Sequence, residues 1–127
     1  MTIQGQILVA DDNVLVRRSV IAMLSGEADL HVCGEAATGP ETIQKTRDLN
    51  PDLVLLDVRM PGSNGLETAG LLHHEFPNLK IMVMSQHEAA YLLPQVLAVG
   101  ADACVDKSRM ADDLCPCIRE LLAKISS

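Results

Sequence analysis

Pro51-Asp52-Leu53-Val54-Leu55-Leu56-Asp57 is the stretch on which the fold turns. Four apolar residues in a row, with no alternating polar face, describe a strand covered on both sides. A carboxylate follows at once, so this strand ends by delivering an acid to the rim of a dry core. The pattern repeats outward. Ile7-Leu8-Val9-Ala10 is a short apolar run ended by Asp11-Asp12, and Leu30-His31-Val32-Cys33-Gly34 is a shorter strand followed by Glu35. Ile81-Met82-Val83-Met84 stops at Ser85, and Ala101 to Val105 stops at Asp106-Lys107-Ser108.

The segments between these strands read as helices. Val14, Leu15, Val16, Val20, Ile21, Met23 and Leu24 recur at helical spacing after Asn13, and Ser25-Gly26 closes them. The second helix carries Ile43 and Leu49, with Gly39 as its expected N-cap and Pro40 at its first position. Met60-Pro61-Gly62-Ser63-Asn64-Gly65 is a loop by composition, and Leu66 to Phe76 is the third helix. Ala89 to Val99 is the fourth, stopped by Gly100. The last shows a stripe of Leu114, Ile118, Leu121, Leu122 and Ile125. Strand then helix, five times over, predicts a doubly wound α/β domain: a parallel sheet with helices on both faces and right-handed crossovers.

The chain of 127 residues is one domain's worth, residues 1–127, and can bury roughly two-thirds of its unfolded surface. Seventeen acidic residues against ten basic ones leave a formal charge of −7, which argues against direct nucleic-acid binding. Phe76 and Tyr91 are the only aromatics, too few for stacking on single strands. The segment Met1 to Gln6 has neither the basic nor the apolar region of a secretory signal, and no apolar run approaches ~18 residues, so no membrane span is expected. Cys33 and Cys104 lie in apolar runs, and Cys115-Pro116-Cys117 lacks the spacing of a metal or redox pair. His31, His73 and His74 read as surface or edge residues. A cytoplasmic protein with free thiols is expected.

In an open parallel sheet, ligands bind beyond the carboxyl ends of the strands. Asp11, Asp12, Asp57, Ser85 and Lys107 all stand at such ends. Three carboxylates so close cannot all stay ionised without positive charge among them. Lys107 is one source. A hard cation is the other, and all-oxygen ligands select Mg2+ or its relatives. Such a site suits phosphoryl transfer, with Asp57 as the natural carboxylate nucleophile. The plainer alternative is that Asp12 or Asn13 only caps the helix that follows and that Lys107 is only a solvated surface amine.

Taken together, the motifs Ile7-Leu8-Val9-Ala10-Asp11-Asp12, Pro51 to Gly62, Asn64-Gly65-Leu66, Met84 to Glu88, Gly100-Ala101-Asp102 and Lys107-Ser108 make the chain resemble the receiver domain of bacterial two-component response regulators. The resemblance runs from about Ile7 to Ile125 and is nearest to the subfamily with a helix-turn-helix output. It implies a flavodoxin-like (βα)5 fold with strand order 2-1-3-4-5. It also implies that Asp57 accepts a phosphoryl group from a sensor histidine kinase. Asp11, Asp12, Asp57 and the backbone carbonyl of Arg59 would hold Mg2+, Ser85 would be the switch hydroxyl and Lys107 the counter-cation. The domain would promote only its own phosphorylation and dephosphorylation, without being an enzyme in the ordinary sense.

Some positions depart from the family pattern. Cys104 stands where relatives often carry Tyr or Phe, Gln86 where a small residue is common, and Ser108 where many have Pro. Arg59 and His87 flank the implied phosphoryl group and are expected to tune its lifetime. Pro94 falls inside the fourth-helix pattern and predicts a kinked, short or displaced helix, whereas Pro116 is expected in the first turn of the fifth, where proline is tolerated.

The leading expectation is a phosphorylation-switched module controlling a transcriptional output domain outside this chain, with a homodimer through the fourth helix, fifth strand and fifth helix as an implied partner arrangement. A degenerate receiver serving as an unphosphorylated scaffold is the alternative. A flavin binder or small phosphatase on the same fold is disfavoured, because Asp11-Asp12 repels phosphate without a metal and lacks a phosphatase's acid spacing.

Overall fold

A computed structural model describes residues 5–60 and 62–124. Pro61 of the expected loop, Ile125 of the expected stripe and the opening residues Met1 to Gln4 lie outside the described residues. Five parallel strands form the sheet: β1 (Gly5–Ala10), β2 (Leu30–Ala36), β3 (Leu53–Asp57), β4 (Lys80–Ser85) and β5 (Ala103–Asp106). Their order is β2-β1-β3-β4-β5, as expected. The helices are α1 (Val14–Ser25), α2 (Gly39–Leu49), α3 (Gly65–Glu75), α4 (Ala89–Ala98) and α5 (Met110–Ala123).

Strand alternation sorts the core into two layers. Ile7, Val9, Leu53, Leu55, Met82, Met84 and Val105 face α1 and α5, meeting Val20, Leu24, Leu114, Ile118 and Leu121. Leu8, Ala10, Val54, Leu56, Ile81 and Val83 face the other way and meet Ala69 and Leu72 of α3 and Leu92 and Val96 of α4. Every residue of β3 is buried, which its unbroken apolar run requires. Within the first helix, only part of the expected apolar set reaches this core. Val14 and Leu15, in its first turn, are 44 % and 67 % exposed.

The structure corrects several local expectations. Strand β2 continues past Gly34 to Ala36, and the N-cap of α2 is Thr38, not Gly39. A hydroxyl does what glycine cannot: Thr38 Oγ1 accepts the Glu41 N–H at 3.1 Å. Strand β5 starts at Ala103, two residues late, and Asp102 before it exchanges hydrogen bonds with Ile81, accepting its N–H at 2.9 Å and donating to its carbonyl at 2.8 Å. The expected loop after β3 contains a small antiparallel ribbon, Arg59–Met60 against Ser63–Asn64, turning through Gly62 at φ +72°.

For the prolines, the structure overturns a shortened α4 and a first-turn place for Pro116. Helix α4 is not shortened: it runs from Ala89 to Ala98 with Pro94 inside. The carbonyl that Pro94 cannot engage belongs to Ala90, and both residues are exposed, so the missing rung lies on the solvent side of α4. Pro116 is not in a first turn. Buried Met110 extends the apolar stripe upstream of Leu114, so α5 begins at Met110 and Pro116 falls in its second turn. There it frees the carbonyl of Asp112, again at an exposed position.

Gly65 opens α3 under tight constraint. A Cβ there would lie 2.6 Å from the carbonyl oxygens of Asp57 and Val58 and from Val58 Cα. Only glycine lets α3 start directly against the end of β3.

Candidate functional site

The ends of β1, β3, β4 and β5 lie at one level, because Ala10 pairs with Leu56, Asp57 with Met84, and Ser85 with Asp106. They bring Asp11, Asp12 and Asp57 together, with carboxylate oxygens within 4.8 Å of one another. Asp11 is fully buried, Asp57 is 4 % exposed, and Asp12 faces solvent. Asn13 caps α1 by accepting the N–H groups of Leu15 and Val16. The capping alternative therefore describes Asn13 and leaves Asp12 free to face the cleft.

Lys107 reaches this cluster from the end of β5. Its Nζ lies 2.9 Å from Asp11 Oδ2 and 3.4 Å from Asp57 Oδ1. Asp11 Oδ1 accepts the Asn13 N–H at 2.9 Å, and Asp57 Oδ1 accepts the Arg59 N–H at 3.2 Å. Asp11 Oδ2 is buried and has no properly angled donor: the ammonium supplies charge but no aligned hydrogen bond. The electrostatics follow. Burial, then the neighbouring Asp11 charge, pushes the Asp57 carboxyl above its ordinary value, against the pull of the Arg59 N–H and Lys107. For Lys107, burial acts to lower the pKa, but Asp11 and Asp57 overcome it and hold the ammonium above its usual range.

An oxygen-only donor set with one buried carboxylate oxygen lacking an aligned donor is what a hard divalent cation fits. Soft ligands are not part of it. The four cysteines are free, and burial raises their thiol pKa values, keeping them protonated. The cluster opens into a cleft of about 240 Å³ lined also by Val16, Val58, Arg59 and Gln86. A larger depression of about 360 Å³, lined by Asn50, Asp52, Glu75, Phe76 and Leu79, sits at the other end of the sheet, but among the described residues no group of three acids converges on it.

Of the remaining sequence candidates, Gln86 lines the cleft, whereas exposed His87 does not. Arg59 turns its side chain outward to Glu88 at 2.9 Å. Pro94 lies on the exposed side of α4, away from the acids. Ser85 is fully buried, and its hydroxyl donates to Asp106 Oδ1 at 3.0 Å. Cys104 Sγ lies 3.9 Å from that hydroxyl. Asp106 and Glu88 are the residues that sequence reasoning passed over. For Asp106 the signal was its place opposite Ser85 once the strands are aligned in parallel; for Glu88, twenty-nine residues from Arg59, there was none.

An open five-stranded parallel sheet with an acidic cluster and a lysine at its carboxyl rim defines a flavodoxin-like α/β domain of the CheY-like kind. The chain belongs to the response regulator receiver domain family, whose model matches residues 7–119. It is 35 % identical over 118 residues to the response regulator GacA of Pseudomonas viridiflava, covering 93 % of this chain and 55 % of the relative. It is 32 % identical over 109 residues to the transcriptional regulatory protein LnrK of Bacillus subtilis, covering 86 % and 50 %. Among solved structures, a LuxR-family response regulator from Aurantimonas superposes with a TM-score of 0.90 at 25 % identity, covering 95 % of this chain and 86 % of that one. The chain spans about half the length of the curated relatives it matches. Phosphorylation-dependent switching, partnership with histidine kinases and use of Mg2+ at an acidic pocket are general to the family. No helix among the described residues is long and apolar enough to cross a membrane.

Mg2+ that binds only the folded chain stabilises it by mass action. At ten times its dissociation constant it is expected to add about 1.4 kcal/mol, seen as a rise in the thermal midpoint. Asp11→Asn should abolish most of that rise. An equal rise in the variant would remove Asp11 from the metal site.

Proposed function

We propose that this domain is a phosphorylation-switched receiver in which Asp57 accepts a phosphoryl group from the phosphohistidine of a sensor kinase. The observation that supports this best is the placement of Asp57: a buried carboxylate at the end of the central strand, beside a second buried acid and within reach of an ammonium. In the transfer, an Asp57 carboxylate oxygen forms a bond to phosphorus as the phosphorus–nitrogen bond of the donor breaks, and the bonding pair leaves with the imidazole. Asp11, Asp12, Asp57 and the Arg59 carbonyl would hold Mg2+, which when bound supplies positive charge to the phosphoryl oxygens. Lys107 adds charge from the β5 side, and preorganised charge is most of what this chemistry needs. Arg59 and Gln86, which line the cleft, are proposed to influence the lifetime of the acyl phosphate, whereas His87 stands outside it.

The domain acts on its own Asp57 and turns over no separate substrate. Its output is proposed to be transcriptional and to lie in a domain outside this chain, in keeping with the names of LnrK and of the LuxR-family structure. Soluble residence in the cytoplasm and homodimerisation through α4, β5 and α5 belong to the same reading.

Acetyl phosphate with Mg2+, followed by intact mass measurement, tests it. One phosphoryl adduct is expected, absent in Asp57→Ala and absent when the metal is chelated. No adduct under any of these conditions would favour an unphosphorylated scaffold instead.

A further inference from the structure

The hydroxyl proposed to meet the phosphoryl group is already engaged elsewhere. Ser85 donates its single proton to Asp106 Oδ1 at 3.0 Å. The same carboxylate oxygen accepts the Ala89 N–H at 2.8 Å. Ala89 is the first residue of α4, and Glu88, the N-cap residue of that helix, gives it no side-chain hydrogen bond. One oxygen at the end of β5 thus fastens the switch hydroxyl and the first turn of α4 to the same point. The parallel register brings the two side chains together, because Ser85 and Asp106 are direct partners.

A serine hydroxyl has one proton to donate, so it cannot serve Asp106 and a phosphoryl oxygen together. We infer that Asp106 is a positioning residue: it holds the resting state by competing for Ser85, and it carries the change at Asp57 to the start of α4. When Ser85 turns to a phosphoryl group, Asp106 keeps only the Ala89 N–H and faces a new anion on the same rim. The Cys104 thiol donates to the Ser85 hydroxyl oxygen at 3.9 Å, so it occupies a lone pair and does not compete for the proton given to Asp106. A second polar tie at the start of α4, Arg59 to Glu88, is formed by an arginine whose side chain is 72 % exposed, and such pairs contribute little.

This role of Asp106 rests on the phosphoryl-acceptor reading, but the first arm of its test does not need it. Amide hydrogen exchange is compared in the resting full chain for wild type, Asp106→Ala and Asp106→Asn. Losing a charge-assisted acceptor is expected to speed exchange over residues 89–92 about tenfold in Asp106→Ala. Asp106→Asn keeps an oxygen at that position and should recover about half of the protection, leaving exchange about threefold faster than in wild type. The second arm is the initial rate of phosphorylation by acetyl phosphate with Mg2+. Without its competitor, Ser85 is free to turn, and the Asp106→Ala rate should rise by about the same factor.

Unchanged exchange overturns the inference. So does faster exchange with an unchanged phosphorylation rate, which would leave Asp106 a helix cap alone. If Asp106→Ala does not fold, Asp106→Asn carries both arms, with a rise of about threefold expected from its weaker acceptor, and no rise overturns the inference. A chain that takes no phosphoryl group at all overturns the acceptor reading, and the exchange arm still decides on Asp106.

Discussion

Lys107→Met is expected to destabilise the domain by about 2–3 kcal/mol at pH 7 without added metal, read as a lower urea midpoint at unchanged slope. Methionine keeps the apolar stem but removes the charge. Asp11 is fully buried and Asp57 nearly so, and the ammonium lies 2.9 Å from one and 3.4 Å from the other. Breaking a buried pair costs more than the pair is worth, because a charge is left stranded. The figure sits below the usual range because the cleft opens to solvent. The pH dependence has a definite sign. The Lys107 pKa is raised in the folded chain, so its pairing contributes fully below the ordinary value of 10.5 and is lost as pH rises through the folded value. Wild type and variant should therefore converge in the alkaline range, where the ammonium is lost. Saturating Mg2+ should narrow the gap, since the ion places positive charge on the same oxygens. A midpoint unchanged by the substitution would show that Lys107 does not neutralise this pair.

Asp57→Asn is expected to block phosphoryl acceptance completely and, in chelator at pH 7, to make the domain more stable by on the order of 1 kcal/mol. The amide has the same shape and no charge. The Asp57 pKa lies above its ordinary 3.8, so burial and Asp11 together outweigh the attraction of Lys107 and the Arg59 N–H. The folded chain therefore holds this proton more tightly than the unfolded chain does. Stability linked to it is fully present below 3.8 and is lost as pH rises through the folded value. The advantage of Asn should be widest at neutral pH and should shrink as pH falls toward 3.8. Chemical denaturation at several pH values measures this; a variant less stable than wild type at pH 7 would reverse the sign assigned to the site. The acceptor would then be a carboxylate that the fold favours, rather than one it holds at a cost in stability for the sake of reactivity.

Particular residues show how far the fold and the site were legible in the sequence. Leu53 to Leu56 leaves no polar face, so a strand buried on both sides was the natural reading, and Asp57 had to emerge at its rim. The same logic placed Asp11, Asp12, Ser85 and Lys107. What stayed hidden depends on geometry across the chain. Thr38 and Gly39 are neighbours, and only the direction of a hydroxyl decides which one caps α2. Pro94 and Pro116 carry a penalty by residue type, but its size depends on whether the freed carbonyl faces water, and at Ala90 and Asp112 it does. Asp106 looks like one more acid before Lys107 until the register of β4 and β5 sets it against Ser85. His87, by contrast, sits beside the site in sequence and outside the cleft in space.

Helix α4 has no N-terminal cap of its own, lacks one internal rung at Pro94, and leaves Tyr91, Leu93 and Leu97 exposed. Its local stability is thus largely borrowed from its neighbours. A segment in that condition opens at a small fraction of the free energy that unfolds the whole domain. Rearranging it therefore requires only a modest local perturbation, while the β1, β3 and β4 core that carries the acids stays fixed.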